Sequence, residues 1–596
     1  MKIFLLIFLS LYVSRLFSQE KNDTINRTKT FILDISWYID TVDADTSFFH
    51  IHQYKETSKY LGLSNLDGIS PFYSFIVFDN CLPFWLENLN VYISSLNNRY
   101  FHTFVPFTQV RLISNTNRTY NEEIVKALHT QNINKHWNIM FEALSNKNIS
   151  RLPHQDNRFH YLFSSTNYIS TRHYLMANFL YSKFKIKENG GVRTPEFLKD
   201  SLFPYENAFV YLNNASNLYV IKKFNFNYWF NIFSDSSLNV LKPWLIAKVN
   251  TLSSKKIYKD NMLDTSYYRN IYYDTTKTYD SLFYRTIVYS AGFSFASLPY
   301  KGKGFYILGN YKQRTSYSYM LPLKEDGIFV TLAYFNQVAK NRLFLKVNYG
   351  LNGYLTKITS FDFEHFYKFT MFNTKLLWHN YILYSHDLTD VFIDQFNSNH
   401  SKWKNERYYK NSAQIESSIN KGYDNLKLFA KIIEKYFYFD KLLTPQVISN
   451  LNLFGIEISK LIRFKNVYSY NKILLQHANK LDYIPNFAAY HSLYYENKVF
   501  KKVLTIQVGA DVWYHSYYTP VGYFPALNVY YFTDGAKVGY YPLINLFFNA
   551  SLKRAKFFIK LQHANYAITH GNFFLIKSYP LPSRMLKFGI IWNFYD

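Results

Sequence analysis

Residues 585–596 read MLKFGIIWNFYD, and the sequence stops there. Leu586, Phe588, Ile590, Trp592 and Phe594 alternate with Lys587, Gly589, Ile591, Asn593 and Tyr595. Successive side chains of a β-strand point to opposite faces. This stretch therefore carries one continuous face of large apolar groups. A sheet edge cannot stay open in lipid, because its unpaired N–H and C=O groups find no water there. The stretch predicts a terminal strand that closes a barrel against the first strand, with Leu586, Phe588, Ile590, Trp592 and Phe594 on the outer face.

The period of two recurs along the chain. Leu343, Leu345, Val347, Tyr349 and Leu351 alternate with Phe344, Lys346, Asn348, Gly350 and Asn352. Phe557, Ile559 and Leu561 are set between Lys556, Phe558, Lys560 and Gln562. The same pattern runs through Leu504–Val512, Trp137–Ala143 and Thr286–Phe295. In a soluble sandwich it reads apolar-in and polar-out. In an outer-membrane barrel it reads lipid-out and lumen-in, over segments of about ten residues.

Three features choose the membrane. Lys2, the apolar run Ile3–Leu11 and the small Ser18 before Gln19 have the layout of a secretory leader. That run is too short to span a bilayer as a helix, which needs about 20 apolar residues. Aromatics make up 20% of the chain, with 57 Tyr and 56 Phe, while mean hydropathy is only −0.21. So much ring surface, so dispersed, suits lipid contact and interfacial girdles. The third feature is the aromatic terminal strand itself. A single cysteine, Cys81, leaves no internal disulfide and reads as a small buried or lipid-facing residue.

No Pro/Gly/Ser-rich linker, charge block or repeat divides the chain. The expected organisation is a leader over 1–18 and one barrel domain over 19–596, with about 19–70 as an N-terminal extension or plug. The fold class is all-β, a transmembrane antiparallel barrel with an even number of strands, roughly 16 to 22. Lys553-Arg554 reads as a tight turn between Leu543–Leu552 and Ala555–Ala564, and Tyr258–Ser281 and Asp394–Lys410 as long polar loops.

Several segments are similar to the Putative porin family of Bacteroidota outer membranes. Val105-Pro106-Phe107-Thr108-Gln109-Val110-Arg111-Leu112 resembles an early strand of that family. His129-Thr130-Gln131-Asn132 with Trp137-Asn138, and Arg172-His173-Tyr174 with Glu188-Asn189-Gly190-Gly191, resemble two hairpins. Tyr579-Pro580-Leu581-Pro582 and Phe588–Phe594 resemble its closing strand. The resemblance implies a barrel more firmly than a transport activity, and it carries no catalytic residues.

The net charge is +26. In an exported chain that excess suits anionic headgroups or a cationic pore. No zinc-finger spacing or aromatic–glycine RNA motif is present, so nucleic acid is not an expected partner. Lys346, Lys556 and Lys560 are the candidate lumen cations, with Lys183, Lys185 and Lys187 behind them and Glu142 and Asp511 as offsetting acids. The lysine triplet reads more readily as a strand end emerging into solvent or headgroups, since Glu188-Asn189-Gly190-Gly191 follows at once as a turn. Asp40, Asp43 and Asp45 lack EF-hand spacing. Asn189-Gly190-Gly191 reads as a turn rather than a phosphate cradle, and Asn214-Ala215-Ser216 as an ordinary polar strand or loop segment. His515-Ser516 is the one pair that could hint at a lipase-like site; no Gly-x-Ser-x-Gly or His-Glu-x-x-His occurs.

The expected function is passive diffusion of small hydrophilic solutes through a water-filled lumen that prefers anions, without metal or cofactor. Expected partners are outer-membrane lipid, the barrel assembly machinery and those solutes. The rivals are a plugged or structural barrel for assembly, adhesion or surface anchoring, and a barrel hydrolase.

Overall fold

The computed structural model describes residues 28–32, 38–41, 83–87, 89 and 99–595, the last span apart from 117–119, 195–204, 234–240, 299–300, 319–320, 339, 372, 567 and 569–573. The leader over 1–18, Cys81, Asp43 and Asp45 lie outside these residues. Twenty-two antiparallel strands form a closed barrel, so the chain is all-β at the upper end of the expected strand number. Among the described residues no helix is long and apolar enough to cross a membrane; the barrel crosses with strands.

Closure follows the ladder that the first and last strands make. Met585–Tyr595 pairs with Phe107–Asn115, placing Ile590 opposite Leu112 and Trp592 opposite Val110. Gln109 Nε2 donates to Asn593 Oδ1 at 2.9 Å, which adds a side-chain bond across the seam. On the last strand Met585, Lys587, Gly589, Ile591 and Asn593 are buried. Leu586, Phe588 and Trp592 are exposed, and Ile590 and Phe594 partly so.

The same division holds round the ring. Phe141, Leu162, Phe179, Phe224, Phe293, Leu332, Ile415, Phe454, Leu493, Leu546 and Ile559 all stand exposed on one face of their strands. Exposed apolar side chains spread over the whole circumference would be a liability in water; in a bilayer they are the lipid-facing surface. The expected alternating segments fall inside the strands Asn341–Gly353, Ala555–Gln562, Leu504–His515, Trp137–Ile149 and Thr278–Leu298.

One rim carries short turns, such as those at Lys553-Arg554, Gly422-Tyr423 and Lys465-Asn466. The other carries the long connections, including 189–214, 389–408, 516–542 and 563–584. Short turns face the periplasm in barrels of this kind and long loops the outside. One expected loop is shorter than the sequence reading: strands continue to Asp260 and resume at Thr278. The 394–410 segment holds a hairpin, Gln395–Asn397 paired with Lys402–Lys404.

Candidate functional site

What a barrel does depends on what fills it. An inner strand, Arg99–Thr103, lies against the wall strands Glu122–Asn134, Trp137–Ile149 and Asp156–Ile169. Its backbone also pairs with Thr28–Ile32, which in turn pairs with Tyr38–Thr41. Polar wall groups hold it. Buried Glu142 accepts from Arg99 Nη2 at 2.7 Å and from Tyr161 Oη at 2.5 Å, with Lys126 Nζ 3.3 Å away. Asn178 Nδ2 donates to Tyr100 Oη at 2.8 Å, and the Thr103 amide donates to Asn132 Oδ1. These contacts fix which residues of each wall strand face the lumen.

Nearer the outer rim the lumen is filled by apolar side chains. The short helix Phe84–Glu87 brings Phe84, Trp85 and Leu86 into the interior, all buried. Phe84 packs edge-on against Phe396 and Phe439, with ring centroids 5.5 and 5.4 Å away, and Trp85 packs on Phe392. Leu527 and Phe524, from the loop 516–542, join the same cluster. That cluster reaches Phe159, Tyr161 and Phe163 on one wall strand and Phe437 and Phe439 on another. These two strands, Asp156–Ile169 and Asp424–Phe439, stand half-way round the ring from each other. An apolar cluster thus bridges opposite walls.

Two inward-folded loops hold this filling in place. In 389–408, Asp390 caps the helix Val391–Asp394, and Arg407 Nε donates to Asp394 Oδ2 at 2.6 Å. Arg407 Nη1 also lies 2.6 Å from Glu325 Oε1 on the wall. Trp403 Nε1 donates to the carbonyls of Phe392 and Ile393, which folds the hairpin back on the helix. Next to it, the Asn399 amide donates to buried Asp280 and its side chain donates to Thr278 Oγ1. His400 stacks on Tyr268 with centroids 3.8 Å apart. Its Nδ1 donates to the Asn270 carbonyl, so its Nε2 accepts from Thr278 Oγ1 at 2.6 Å. Burial pushes the His400 pKa down to about 4, against the raising effect of the Asn270 carbonyl.

The loop 516–542 is tied down in a similar way. Lys256 Nζ donates to the Ala526 carbonyl, and Asn217 Nδ2 to the Pro525 carbonyl. Asn528 Nδ2 donates to the Trp85 carbonyl at 2.7 Å, joining this loop to the inner helix. Above it, Leu152, Tyr205, Tyr518, Tyr541, Leu575 and Leu581 form a second apolar layer between four outer loops. The periplasmic half of the lumen is divided: on one side Trp229, Trp244, Tyr306 and Phe335 form a buried apolar cluster with Tyr100 of the inner strand, and on another the wall carries charge. Lys427–Glu416 at 2.6 Å and Lys472–Glu457 at 3.0 Å are ion pairs on the inner face that keep partial contact with solvent.

The sequence-predicted charges fall in two places. Lys346, Lys556, Lys560, Glu142 and Asp511 lie on the inner face. Lys346 Nζ is 3.7 Å from Asp362, and Asp511 accepts from Tyr490 Oη at 2.9 Å. Lys183, Lys185 and Lys187 do not line the lumen. Asn178, Leu180, Ser182 and Phe184 take the inner face of their strand, so the odd-numbered lysines point outward. The sequence reading named none of the lumen ion pairs, among them Arg99–Glu142 and Lys587–Glu122, the latter at 2.5 Å with both side chains buried.

His515 and Ser516 make no catalytic pair: His515 Nδ1 donates to the Ser516 carbonyl, and Ser516 Oγ accepts from the Phe487 amide. Asn189 Oδ1 accepts from the Gly191 amide in a turn where both glycines have positive φ. Among the described residues no group of three or more His, Cys, Asp and Glu could hold a metal ion.

Residues 27–596 match the family described as Putative porin. The chain belongs to that family. No curated protein matches it. Among solved structures, the ferric enterobactin receptor PfeA from Pseudomonas aeruginosa aligns with TM-score 0.54 at 8% identity, over 82% of this chain and 80% of that one. The ferric preacinetobactin receptor BauA from Acinetobacter baumannii gives 0.50 at 11% identity, over 83% and 82%. The copper transporter OprC gives 0.54 at 9%, over 82% and 80%. At such identities the likeness shows the fold: a large outer-membrane receptor-like barrel. The porin-family member is thus an outer-membrane β-barrel with a filled outer half.

Proposed function

We propose that this barrel is a gated transporter of small hydrophilic solutes, closed at its outer end in the conformation described. The apolar cluster joining opposite walls through Phe84, Trp85, Phe396 and Leu527 carries the reading. An apolar plug of that width excludes water and hydrated solutes. It favours the plugged alternative over a permanently open pore, and it suits the general size relation in which 22-stranded transporters have a plugged lumen. Passage then requires the loops 389–408 and 516–542, or the inner helix, to move. Export by a leader over 1–18, insertion by the barrel assembly machinery, and a plug role for part of 19–70 belong to the same proposal.

The proteins aligned above are named as receptors for ferric enterobactin and ferric preacinetobactin and as a transporter of copper. Among the described residues no group of three or more His, Cys, Asp and Glu could hold a metal ion, and the proposed solutes are small and hydrophilic. Liposome swelling tests the gate. Wild-type protein should admit sugars slowly, and Phe396→Ala with Trp403→Ala should admit them freely. Fast swelling with wild-type protein would remove the gate and restore an open porin. A barrel that stays tight after both substitutions would favour a structural role.

A further inference from the structure

The outer surface of the barrel carries a one-sided cationic patch just below the long-loop rim. The ladder register assembles it from neighbouring strands. Arg158 stands opposite Lys185. Lys183 stands opposite Val220, which stands opposite Lys255. Nearer the rim, Lys187 faces Ser216, and Ser216 faces Lys259. On the side away from the rim, Lys222 faces Ser253, and Ser253 faces Arg285. All of these basic side chains are exposed and on the face away from the lumen. At about 3.3 Å per residue and about 4.8 Å per strand, the patch measures roughly 20 by 19 Å.

Its surroundings give it a height in the membrane. On the same strands the outward face turns apolar toward the turns: Leu162, Phe179, Phe224, Leu245 and Phe293 are exposed there. Tyr279 lies under Lys259, with the ammonium 5.0 Å from the ring. The patch therefore begins where the lipid-facing band ends, at the level of the outer headgroups. Acids at its edge are Asp156, paired with Lys187 at 2.7 Å, and Glu123, opposite Lys147. Across the ring, near the same rim, Glu434 accepts from Asn411 and stands beside Lys435, so acid and base are mixed there.

Given the outer-membrane location, we propose that this patch binds the phosphate groups of an outer-leaflet glycolipid. Cations held rigidly on a wall beside a low-dielectric band attract a phosphate more than the same cations on a mobile loop. The spacing also offers two or more basic groups to one headgroup. Lys183, Lys185 and Lys187 thus serve lipid rather than solute.

Native mass spectrometry of the full barrel in neutral detergent tests this, with lipid A as probe and the same lipid enzymatically dephosphorylated as control. The phosphorylated lipid should remain bound at collision energies that strip the control. The variant Lys183→Gln/Lys185→Gln/Lys255→Gln, checked for heat-modifiable folding, should bind it roughly tenfold or more weakly. Lys460→Gln, outward-facing near the periplasmic turns, should leave binding intact. Equal retention of the dephosphorylated lipid would overturn the proposal, and so would wild-type affinity in the triple variant. Equal retention of phosphatidylglycerol, or displacement by millimolar inorganic phosphate, would also overturn it, by showing an unselective or free-anion surface.

Discussion

Glu142 does the most at the scale of single residues. Its carboxylate faces the inner-strand Arg99, the wall Lys126 and the Tyr161 hydroxyl at once. Glu142→Gln would leave two cations in a filled lumen without their counter-charge, and breaking a buried pair in that way costs about 3 kcal/mol or more. The expected outcome is a barrel that still closes but whose Arg99–Thr103 amides exchange quickly with solvent deuterium. Unchanged protection would show that backbone pairing holds the strand unaided. His400 gives a pH prediction. Its docked pKa of about 4 lies below the ordinary 6.5, so the undocked loop binds the proton first as pH falls. The docked loop is fully favoured above about 6.5 and loses up to roughly 3 kcal/mol between there and 4. Burial raises Asp390 to about 6, against the lowering effect of Arg314, which offsets part of this loss below that pH. Amides of 395–404 should open faster at pH 5 than at 7.5, and His400→Gln should flatten the difference. A pH response surviving in that variant would assign it elsewhere.

Among the elements, the last strand has the clearest consequence. Truncation after Ile590 removes Ile591–Tyr595, the residues that pair with Phe107–Arg111 at the periplasmic side of the seam. The barrel would then keep an open edge in lipid, and no heat-modifiable band should appear for the truncated chain. A normal band would mean that the remaining ladder is enough. Strands such as these were legible because lipid demands one apolar face and the residues between are small or polar, as with Lys346 and Asn348. The lysine triplet, read both as a lumen ladder and as an emerging strand end, left its face open for the opposite reason. Met176, Leu180 and Phe184 are apolar on the inner face, because the plug packs there, so neither face of that strand stands out as the lumen side. The inward loops were not legible as structure at all. Phe392, Phe396 and Trp403 sit within or beside a segment that reads as polar, and only their bulk in a loop hinted at burial. Strand number was bounded, not fixed, since alternation cannot tell a wall strand from an inner one such as Arg99–Thr103.

Taken whole, the molecule carries +26 in formal charge, but much of the inner face is balanced. Lys587 is paired with Glu122, Lys346 faces Asp362, and Lys427 and Lys472 each face a glutamate. A good part of the excess sits on the outer wall instead. An opened barrel should therefore show only a modest anion preference, and that preference should shrink as salt rises. Reversal potentials under a salt gradient at low and high ionic strength check this; a strong preference unmoved by salt would contradict it. The central claim is that the outer half of the lumen is shut by the chain's own residues. Planar-bilayer recording of folded wild-type protein, beside a variant with 391–405 replaced by a short Gly-Ser link, tests it most directly. The wild type should give no steady conductance, and the variant stable open-channel steps. Steady, large channels from the wild-type barrel would contradict it.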